Sequence, residues 1–216
     1  MAVRLFIGGI RPLPPDGKPS AIVKRERDEP AWLGTEGLAG DQQADRRAHG
    51  GPDKALHQFP PGHYARLAEA FSEARAGLVP GSLGENLSVA GWDENNVCVG
   101  DLFRLGDARI QVAQPRTPCW KIDARHGVTG MARWIDEQGL TGWYFRVIEE
   151  GQVEPGCGFE LLDRPAPQAT LARLWRLRKA LRPDPRELAE LATAPGLAAG
   201  WVKALAERGA WLAGNP

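Results

Sequence analysis

Short segments in which apolar and polar residues alternate dominate the chain before residue 164 and predict β-strands. Residues 109–112 (Arg-Ile-Gln-Val) alternate in this way, which is typical of a strand with one buried face. The Gly106-Asp107 step in front of them predicts a hairpin with residues 102–105. Further strands are predicted at residues 2–10, 21–26, 84–89, 98–105, 143–148 and 158–162.

Two helices are predicted between these strands, because apolar residues recur there at helical spacing. The helix at residues 61–74 has an apolar face formed by Tyr64, Leu67, Ala68 and Phe71. The helix at residues 129–138 has one formed by Met131, Trp134 and Ile135. Residues 11–17 and 33–53 are rich in proline or glycine and predict loops. The second loop is so long and so charged that it is either functional or disordered, and its charged residues favour a function.

The composition changes to alanine, leucine and arginine after residues 164–167 (Arg-Pro-Ala-Pro), and three short helices are predicted at 171–181, 184–192 and 197–212. One apolar stripe consists of Leu171, Leu174, Trp175 and Leu181, and another of Trp201, Leu205 and Leu212. The predicted fold class is therefore α+β, with a β-rich domain at residues 1–164 and a small three-helix domain at 165–216.

Composition and charge narrow the functional classes. The 216 residues carry a formal net charge of zero, which argues against a nucleic-acid binder driven by electrostatics. The N-terminus lacks the pattern of a signal peptide, and no apolar run is long enough to cross a bilayer, so we expect a cytoplasmic protein without a membrane partner. Three scattered cysteines without a CxxC pair suggest a reducing compartment and no structural zinc site.

Cys119 is the first candidate for chemistry. It follows the strand at residues 109–112 and two prolines, Pro115 and Pro118, which end strand pairing. Arg116 and Lys121 lie close to it in sequence, and neighbouring cations favour the thiolate, the form that ligates metals or attacks electrophiles. The structural alternative is a small buried residue in a turn, which is the commoner role of a free cysteine.

Two further segments combine glycines with polar side chains, at residues 49–57 and 80–87. Glycines let the backbone approach a ligand, and exposed N–H groups there can bind an anion. Side chains that could neutralise a phosphate are Lys54, Arg116, Lys121 and Arg125. Each of them could instead be a solvated surface residue. The histidines and Cys119 do not repeat the ligand spacing of known zinc frameworks, and a cysteine–histidine nucleophile pair stays open.

Five ordered motifs between residues 37 and 121 are Gly37-Leu38-Ala39-Gly40-Asp41, His49-Gly50-Gly51-Pro52-Asp53-Lys54-Ala55-Leu56-His57, Gly84-Glu85-Asn86-Leu87, Gly100-Asp101 and Pro115-Arg116-Thr117-Pro118-Cys119-Trp120-Lys121. In this order they resemble the MOSC family, the C-terminal domain of molybdenum cofactor sulfurases. With the three-helix tail, the resemblance is greatest to its stand-alone YiiM-type members. It implies a β-barrel-like core with peripheral helices that binds the molybdenum cofactor (molybdopterin with Mo).

The resemblance also implies an activity and a set of site residues. The activity is the reduction of N-hydroxylated compounds, such as hydroxylaminopurines, amidoximes and hydroxylamines, to amines. Cys119 would be both catalytic and the metal ligand, and His49 or His57 could pass a proton. The implied cofactor-binding residues are Lys54, Gly84, Asn86, Arg116, Thr117 and Lys121, to which Arg125 is added from its charge and proximity. After His57, residues 58–60 (Gln-Phe-Pro) depart from the aromatic that is usual in the family.

The sequence also suggests binding partners and alternative functions. The substrate is a small molecule, and no ferredoxin-like cysteine cluster follows the helices, so the electron donor is a separate reductase or ferredoxin-like protein. The alternative function is a cofactor or sulfur carrier module without turnover. A basic stripe in the tail raises the idea of a DNA-binding helix-turn-helix, but a solvated face or a docking surface for the electron donor is preferred. The stripe consists of Arg173, Arg176, Arg178, Lys179 and Arg182.

Overall fold

The computed structural model describes residues 2–215, with residues 47 and 48 described by their backbone alone. Its strands are β1 (Arg4–Ile7), β2 (Arg11–Leu13), β3 (Lys18–Ser20), β4 (Arg25–Arg27), β5 (Ala31–Gly34), β6 (Gly37–Leu38), β7 (Leu56–Gln58), β8 (Leu87–Ser88), β9 (Leu102–Leu105), β10 (Ala108–Pro115), β11 (Trp143–Glu149), β12 (Gly151–Val153) and β13 (Phe159–Asp163). Its helices are α1 (Arg46–His49), α2 (His63–Ala70), α3 (Lys121–His126), α4 (Met131–Gln138), α5 (Leu171–Lys179), α6 (Pro185–Ala192) and α7 (Ala199–Gly214), with 3-10 turns at Pro52–Lys54 and Ser72–Gly77. The predicted α+β class is confirmed.

The main sheet, in the part of the chain that the structure describes, has eight strands and forms a half-barrel. Its order is β13-β9-β10-β11-β7-β8-β1-β4, and its neighbours are antiparallel except for the parallel pair β7 and β8. The predicted hairpin around Gly106-Asp107 is β9–β10. Pro115 at the end of β10 lies opposite Trp143 of β11, which lies opposite Gln58 of β7. The segment that carries Cys119 therefore leaves the sheet two strands away from His57.

Residues 33–53 are not one long loop, so that prediction is wrong in part. β5 begins at Ala31 and pairs with β12, with Leu33 opposite Gly151, and β5 and β6 form a tight turn. The partner strand lies far along the chain, and so no local pattern could indicate the pairing. Residues 11–17 likewise enter a hairpin, β2–β3, in which Pro12 lies opposite Pro19. Two prolines are tolerated there because a two-stranded hairpin leaves both outer edges unpaired.

The helices beside the sheet bury their predicted apolar faces. Tyr64 and Leu67 of α2 and Met131 and Ile135 of α4 join Phe59 in one apolar cluster. Leu78 and Leu83 belong to the same cluster and hold the loop at residues 78–86 against these helices. Fully burying a large apolar side chain contributes about 1.5–3 kcal/mol.

The three tail helices pack on the half-barrel. Apolar side chains of α5, α6 and α7 belong to the same buried cluster as those of the main sheet, and the Ala198 N–H donates to the Ala113 carbonyl at 2.9 Å. At Gly100, whose φ is +82°, a Cβ atom would lie 2.2 Å from the Pro195 carbonyl oxygen. This contact allows only glycine. A domain boundary near residue 165 stays a prediction, while the apolar core continues across it.

One residue of the predicted tail stripes is misplaced. Leu181 is 93% exposed, whereas Leu177 is buried. The reason is that α5 ends at Lys179, so Leu181 lies beyond the last turn and does not share its face. The other stripe residues, Leu171, Leu174, Trp175, Trp201, Leu205 and Leu212, are buried as predicted. Among the described residues, no helix has the length and apolar character needed to span a bilayer.

Candidate functional site

A cavity of about 80 Å³ lies where the end of β10, the end of β7 and the loops before β4 and β8 meet. This volume is several times the space that one water molecule requires. Eight of the predicted site residues line it: His49, Lys54, His57, Gly84, Asn86, Arg116, Cys119 and Lys121. Residues distant in sequence thus converge on one hollow, as the motifs predicted.

Cys119 occupies the turn between β10 and α3. Its carbonyl accepts a hydrogen bond from the Ile122 N–H at 3.0 Å, which fixes the turn at the start of the helix. The residue is half-buried, and its Sγ lies 3.6 Å from Nε2 of His49. The thiol borders a cavity and contacts an imidazole, which favours a functional role over that of a buried turn residue.

Burial, together with the nearby cations Lys121, Arg116 and Lys54, lowers the pKa of His49 to about 4. Its imidazole is uncharged at neutral pH, so the hydrogen bond to Cys119 joins a neutral ring to the sulfur. A base with so low a pKa is a poor acceptor for a thiol proton, since general bases work best when their pKa is near the working pH. This disfavours a cysteine–histidine nucleophile pair.

Arg116 forms the cationic floor of the cavity. It is 5% exposed, its backbone N–H donates to the Gly142 carbonyl at 3.0 Å, and its Nη2 donates to the Leu83 carbonyl at 3.3 Å. Its Nη1 is buried and has no hydrogen-bond partner. A buried guanidinium N–H without a partner is costly, and an anion in the cavity would satisfy it. Lys54 and Lys121 line the same hollow and add positive charge.

A buried ion pair that the sequence did not indicate also lines the cavity. Lys24 Nζ lies 2.6 Å from Oδ1 of Asp41, and both side chains are almost fully buried. Burial lowers the pKa of Lys24, and the Asp41 carboxylate offsets part of this effect. Asp41 lies within a quoted motif (residues 37–41), and that was the available signal. Lys24 lies in a segment predicted only as a strand.

Asn86 lines the cavity, but its amide holds the wall together. Its Nδ2 donates to Oδ2 of Asp41 at 2.8 Å and to the Phe6 carbonyl at 3.2 Å, and its Oδ1 accepts from the His57 N–H at 3.2 Å. These bonds use both polar ends of the side chain. Its assignment as a cofactor contact stays a prediction, and its visible role is to position β8 against β7 and the Asp41 loop.

His57 and Tyr144 are neighbours across β7 and β11, with ring centroids 5.3 Å apart. Burial holds the pKa of His57 well below its ordinary value, and the Arg116 charge adds to this. Burial raises the pKa of Tyr144, and Arg116 offsets part of the change. His57 Nε2 is buried without a partner. The two rings therefore form a neutral wall beside the cationic floor.

Acidification is expected to destabilise the cofactor-free protein, partly through His57. Between the pKa of an unfolded histidine, about 6.5, and the lower folded pKa, the unfolded chain binds a proton that folded His57 does not. The stabilisation is thus complete above pH 6.5 and is lost as the pH falls below it. Urea titrations across this range should show a smaller pH dependence in His57→Gln, by up to about 1.4 kcal/mol per pH unit. If the free energy of unfolding depended on pH equally in His57→Gln and in the wild type, the lowered pKa of His57 would be contradicted.

Two predicted residues do not line the cavity. Thr117 is exposed and turns away from it, and its Oγ1 accepts a hydrogen bond from Nη1 of Arg178 at 3.1 Å. The alternation of the extended chain after β10 places Thr117 on the side opposite Arg116. Arg125 lies on α3, one helical turn farther from Cys119 than Lys121. A charge close in sequence was therefore insufficient to place it in the hollow.

Metal binding by protein side chains alone finds no support in the described residues. No group of three or more His, Cys, Asp or Glu side chains comes close enough there to hold a metal ion. His49 and Cys119 form a pair without a third ligand. A metal at Cys119 would therefore need most of its ligands from a bound organic group, which is consistent with a soft thiolate adding one ligand to a sulfur-rich centre.

The chain is similar to known proteins in both sequence and structure. The family model for the MOSC domain matches residues 45–160. Protein YiiM of Escherichia coli (strain K12) is 37% identical over 209 residues, which cover 95% of this chain and 91% of that protein. Its crystal structure superposes with a TM-score of 0.82 and 30% identity, covering 98% of this chain and 94% of that chain.

Two further relatives differ in how much of their length is matched. The uncharacterized protein YflK of Bacillus subtilis (strain 168) is 46% identical over 162 residues, covering 74% of this chain and 72% of that protein. A protein of Gibberella moniliformis (strain M3125 / FGSC 7600) named reductase is 32% identical over 177 residues, covering 82% of this chain but 31% of that protein. This chain therefore corresponds to one part of the reductase.

Proposed function

The chain belongs to the MOSC domain family, and on this basis we propose that it is an oxidoreductase that uses the molybdenum cofactor to reduce N-hydroxylated compounds to amines. MOSC domains are molybdenum-cofactor-binding domains, and a relative that shares this region is named a reductase. The observation that carries the proposal is that a half-buried thiol and an unpartnered guanidinium N–H belong to the lining of one cavity.

The residues of the cavity fit such a cofactor. Its phosphate would meet Arg116, whose Nη1 lacks a partner, with Lys54 and Lys121 beside it. Its metal would take the sulfur of Cys119 as a protein ligand. Arg116 and Cys119 are held by the same short segment between β10 and α3. A change in that segment would therefore affect both ends of the bound group.

The chemistry balances with two electrons and two protons. When bound, the cofactor supplies the site at which the N–O bond is broken and the two electrons that reduce it. An N-hydroxylated substrate R–NH–OH then yields R–NH₂ and water. We propose a separate reductase or ferredoxin-like protein as the electron donor.

The protein side chains have positioning and exclusion roles. His49 holds the Cys119 sulfur through its Nε2 contact and keeps that sulfur oriented towards the cavity. The buried rings of His57 and Tyr144 exclude water from one wall. Asn86 and Asp41 hold the opposite wall through their hydrogen bond. Proton transfer by His49 or His57 stays a prediction.

The test is reduction of N-hydroxyadenine by protein purified from cells that make the cofactor, with an artificial electron donor. We expect one adenine per two electrons consumed, measured by chromatography, and no adenine from protein produced in cells that lack the cofactor. A cofactor-loaded protein that reduces no N-hydroxylated compound would refute the enzymatic proposal. If it then transferred its cofactor to an acceptor enzyme, the carrier alternative would be correct.

A further inference from the structure

A second hollow, of about 430 Å³, lies between the end of β10 and the helices α5 and α7. We call it the Arg178 groove. Its polar and aromatic lining residues are Lys54, Gln114, Thr117, Arg178, Trp201 and Arg208. Three of the six are cations, and within the described part of the chain no carboxylate lines the groove. Its chemistry is therefore suited to an anionic ligand.

Arg178 presents its guanidinium to this groove from a fixed position. Its Cζ lies 5.0 Å from the ring centroid of Trp175 and 4.8 Å from that of Trp201, and its Nη1 donates to Oγ1 of Thr117 at 3.1 Å. Stacking on aromatic rings orients the planar group without neutralising it. Arg178 is thus a preorganised cation, and a planar guanidinium can donate two parallel hydrogen bonds to a phosphate.

Other cations of α5 and α7 are already used within the fold. Arg173 pairs with Glu187 and Glu190 of α6 at 3.0 Å, and Lys179 pairs with Asp136 of α4. Arg208 donates to carbonyl oxygens at the end of α5, among them that of Arg178 at 2.6 Å, and so offsets the partial negative charge there. Two members of the basic stripe thus act within the fold, and Arg178 differs from both.

The Arg178 groove lies next to the cavity that Cys119 lines, which we call the Cys119 cavity. Lys54 lines both hollows. Gln114 of the groove lies opposite Tyr144 of the cavity wall in the β10–β11 pairing. Thr117, which contacts Arg178, precedes Cys119 by two residues. Arg178 and Cys119 thus line neighbouring hollows that share Lys54.

We propose that the Arg178 groove binds the phosphate ester of a nucleotide whose other end lies in the Cys119 cavity. The phosphate has two possible sources, which share this chemistry. It belongs either to the substrate, so that the N-hydroxylated base is taken as a nucleotide, or to a nucleotide extension of the cofactor. The identification of these two sources rests on the proposed function. The binding of a phosphate in the groove does not depend on it.

Binding of AMP and adenosine to the full-length, cofactor-loaded protein tests this by calorimetry. If the substrate carries the phosphate, AMP should bind at least about tenfold more tightly than adenosine, as one charge-assisted hydrogen bond would provide. The preference should disappear in Arg178→Gln, be intermediate in Arg178→Lys, and persist in Arg176→Gln, which removes an exposed charge from the same helix outside the groove. Thermal unfolding of each variant checks that it is folded.

The second possible source of the phosphate, the cofactor, is tested on the same protein samples. If the cofactor carries the phosphate, acid release should yield about one nucleotide per metal, and Arg178→Gln should retain less of it than Arg176→Gln. Equal binding of AMP and adenosine together with a nucleotide-free cofactor would overturn the proposal, as would an AMP preference that survives in Arg178→Gln. An AMP preference that depends on Arg178, in a protein that reduces no N-hydroxylated compound, would retain the groove and reject the proposed reaction.

Discussion

Replacing Cys119 with alanine is expected to lower the reduction of N-hydroxyadenine by more than about 100-fold while the protein stays folded. The basis is that loss of residues that merely support a metal ligand already costs about 10- to 100-fold. The variant should still bind the pterin, because Arg116, Lys54 and Lys121 remain. Metal content by elemental mass spectrometry, pterin content by fluorescence and the reduction rate together measure the effect.

Cys157→Ser is the matched control for this result. Cys157 is also half-buried, but it packs against the apolar core and does not line the cavity. The serine variant should therefore keep its metal content and its rate. If Cys119→Ala retained wild-type activity and metal, the sulfur of Cys119 would not be a metal ligand, and the proposed site would be wrong.

The parts of the fold that were predictable are those determined by neighbours in sequence. The β9–β10 hairpin followed from alternation on both sides of Gly106-Asp107, and the buried side of α4 followed from the spacing of Met131 and Ile135. The pairing of β5 with β12 joins segments far apart in the chain. Gly34 and Gly37 interrupt the local pattern around β5, so the sequence conceals a strand that tertiary contacts impose.

Helix ends were harder to predict than helix faces. α5 stops at Lys179, where Arg208 of α7 donates hydrogen bonds to its terminal carbonyls. This ending depends on a residue of another helix, so a periodic pattern continued past it and included Leu181. The helix α3 was not predicted, because its six residues are too few to show a period.

The cavity residues that lie in sequence motifs were predictable, whereas those brought to the cavity by packing were not. His49, Arg116 and Cys119 line the cavity, and they were candidates because they lie in motifs that resemble those of the MOSC family. Lys24 and Tyr144 contribute to the cavity only through contacts with distant parts of the chain. Thr117 shows a third case, since its motif position is correct but its side chain faces the Arg178 groove.

Arg116→Gln is expected to have opposite effects on cofactor retention and on stability. A hydrogen bond to a charged group contributes about 1.5–3 kcal/mol, so the variant should lose about 10- to 100-fold in affinity for the cofactor. In the cofactor-free protein, however, Arg116 is a buried cation with an unpartnered N–H. Removing this buried charge relieves its desolvation cost, which offsets the lost hydrogen bond from Nη2 to the Leu83 carbonyl. The cofactor-free variant should therefore unfold at the wild-type temperature or above it.

The matched control is Arg133→Gln, which removes the same charge from an exposed position on α4. Arg133 pairs with Glu137 one turn away, an exposed contact that contributes little to stability. Both the cofactor content and the unfolding temperature of this control should equal those of the wild type. A second variant, Arg116→Lys, keeps the charge but loses the planar fork, and should retain an intermediate amount of cofactor. If Arg116→Gln instead lowered the unfolding temperature and left the cofactor content unchanged, Arg116 would stabilise the fold and would not hold an anion.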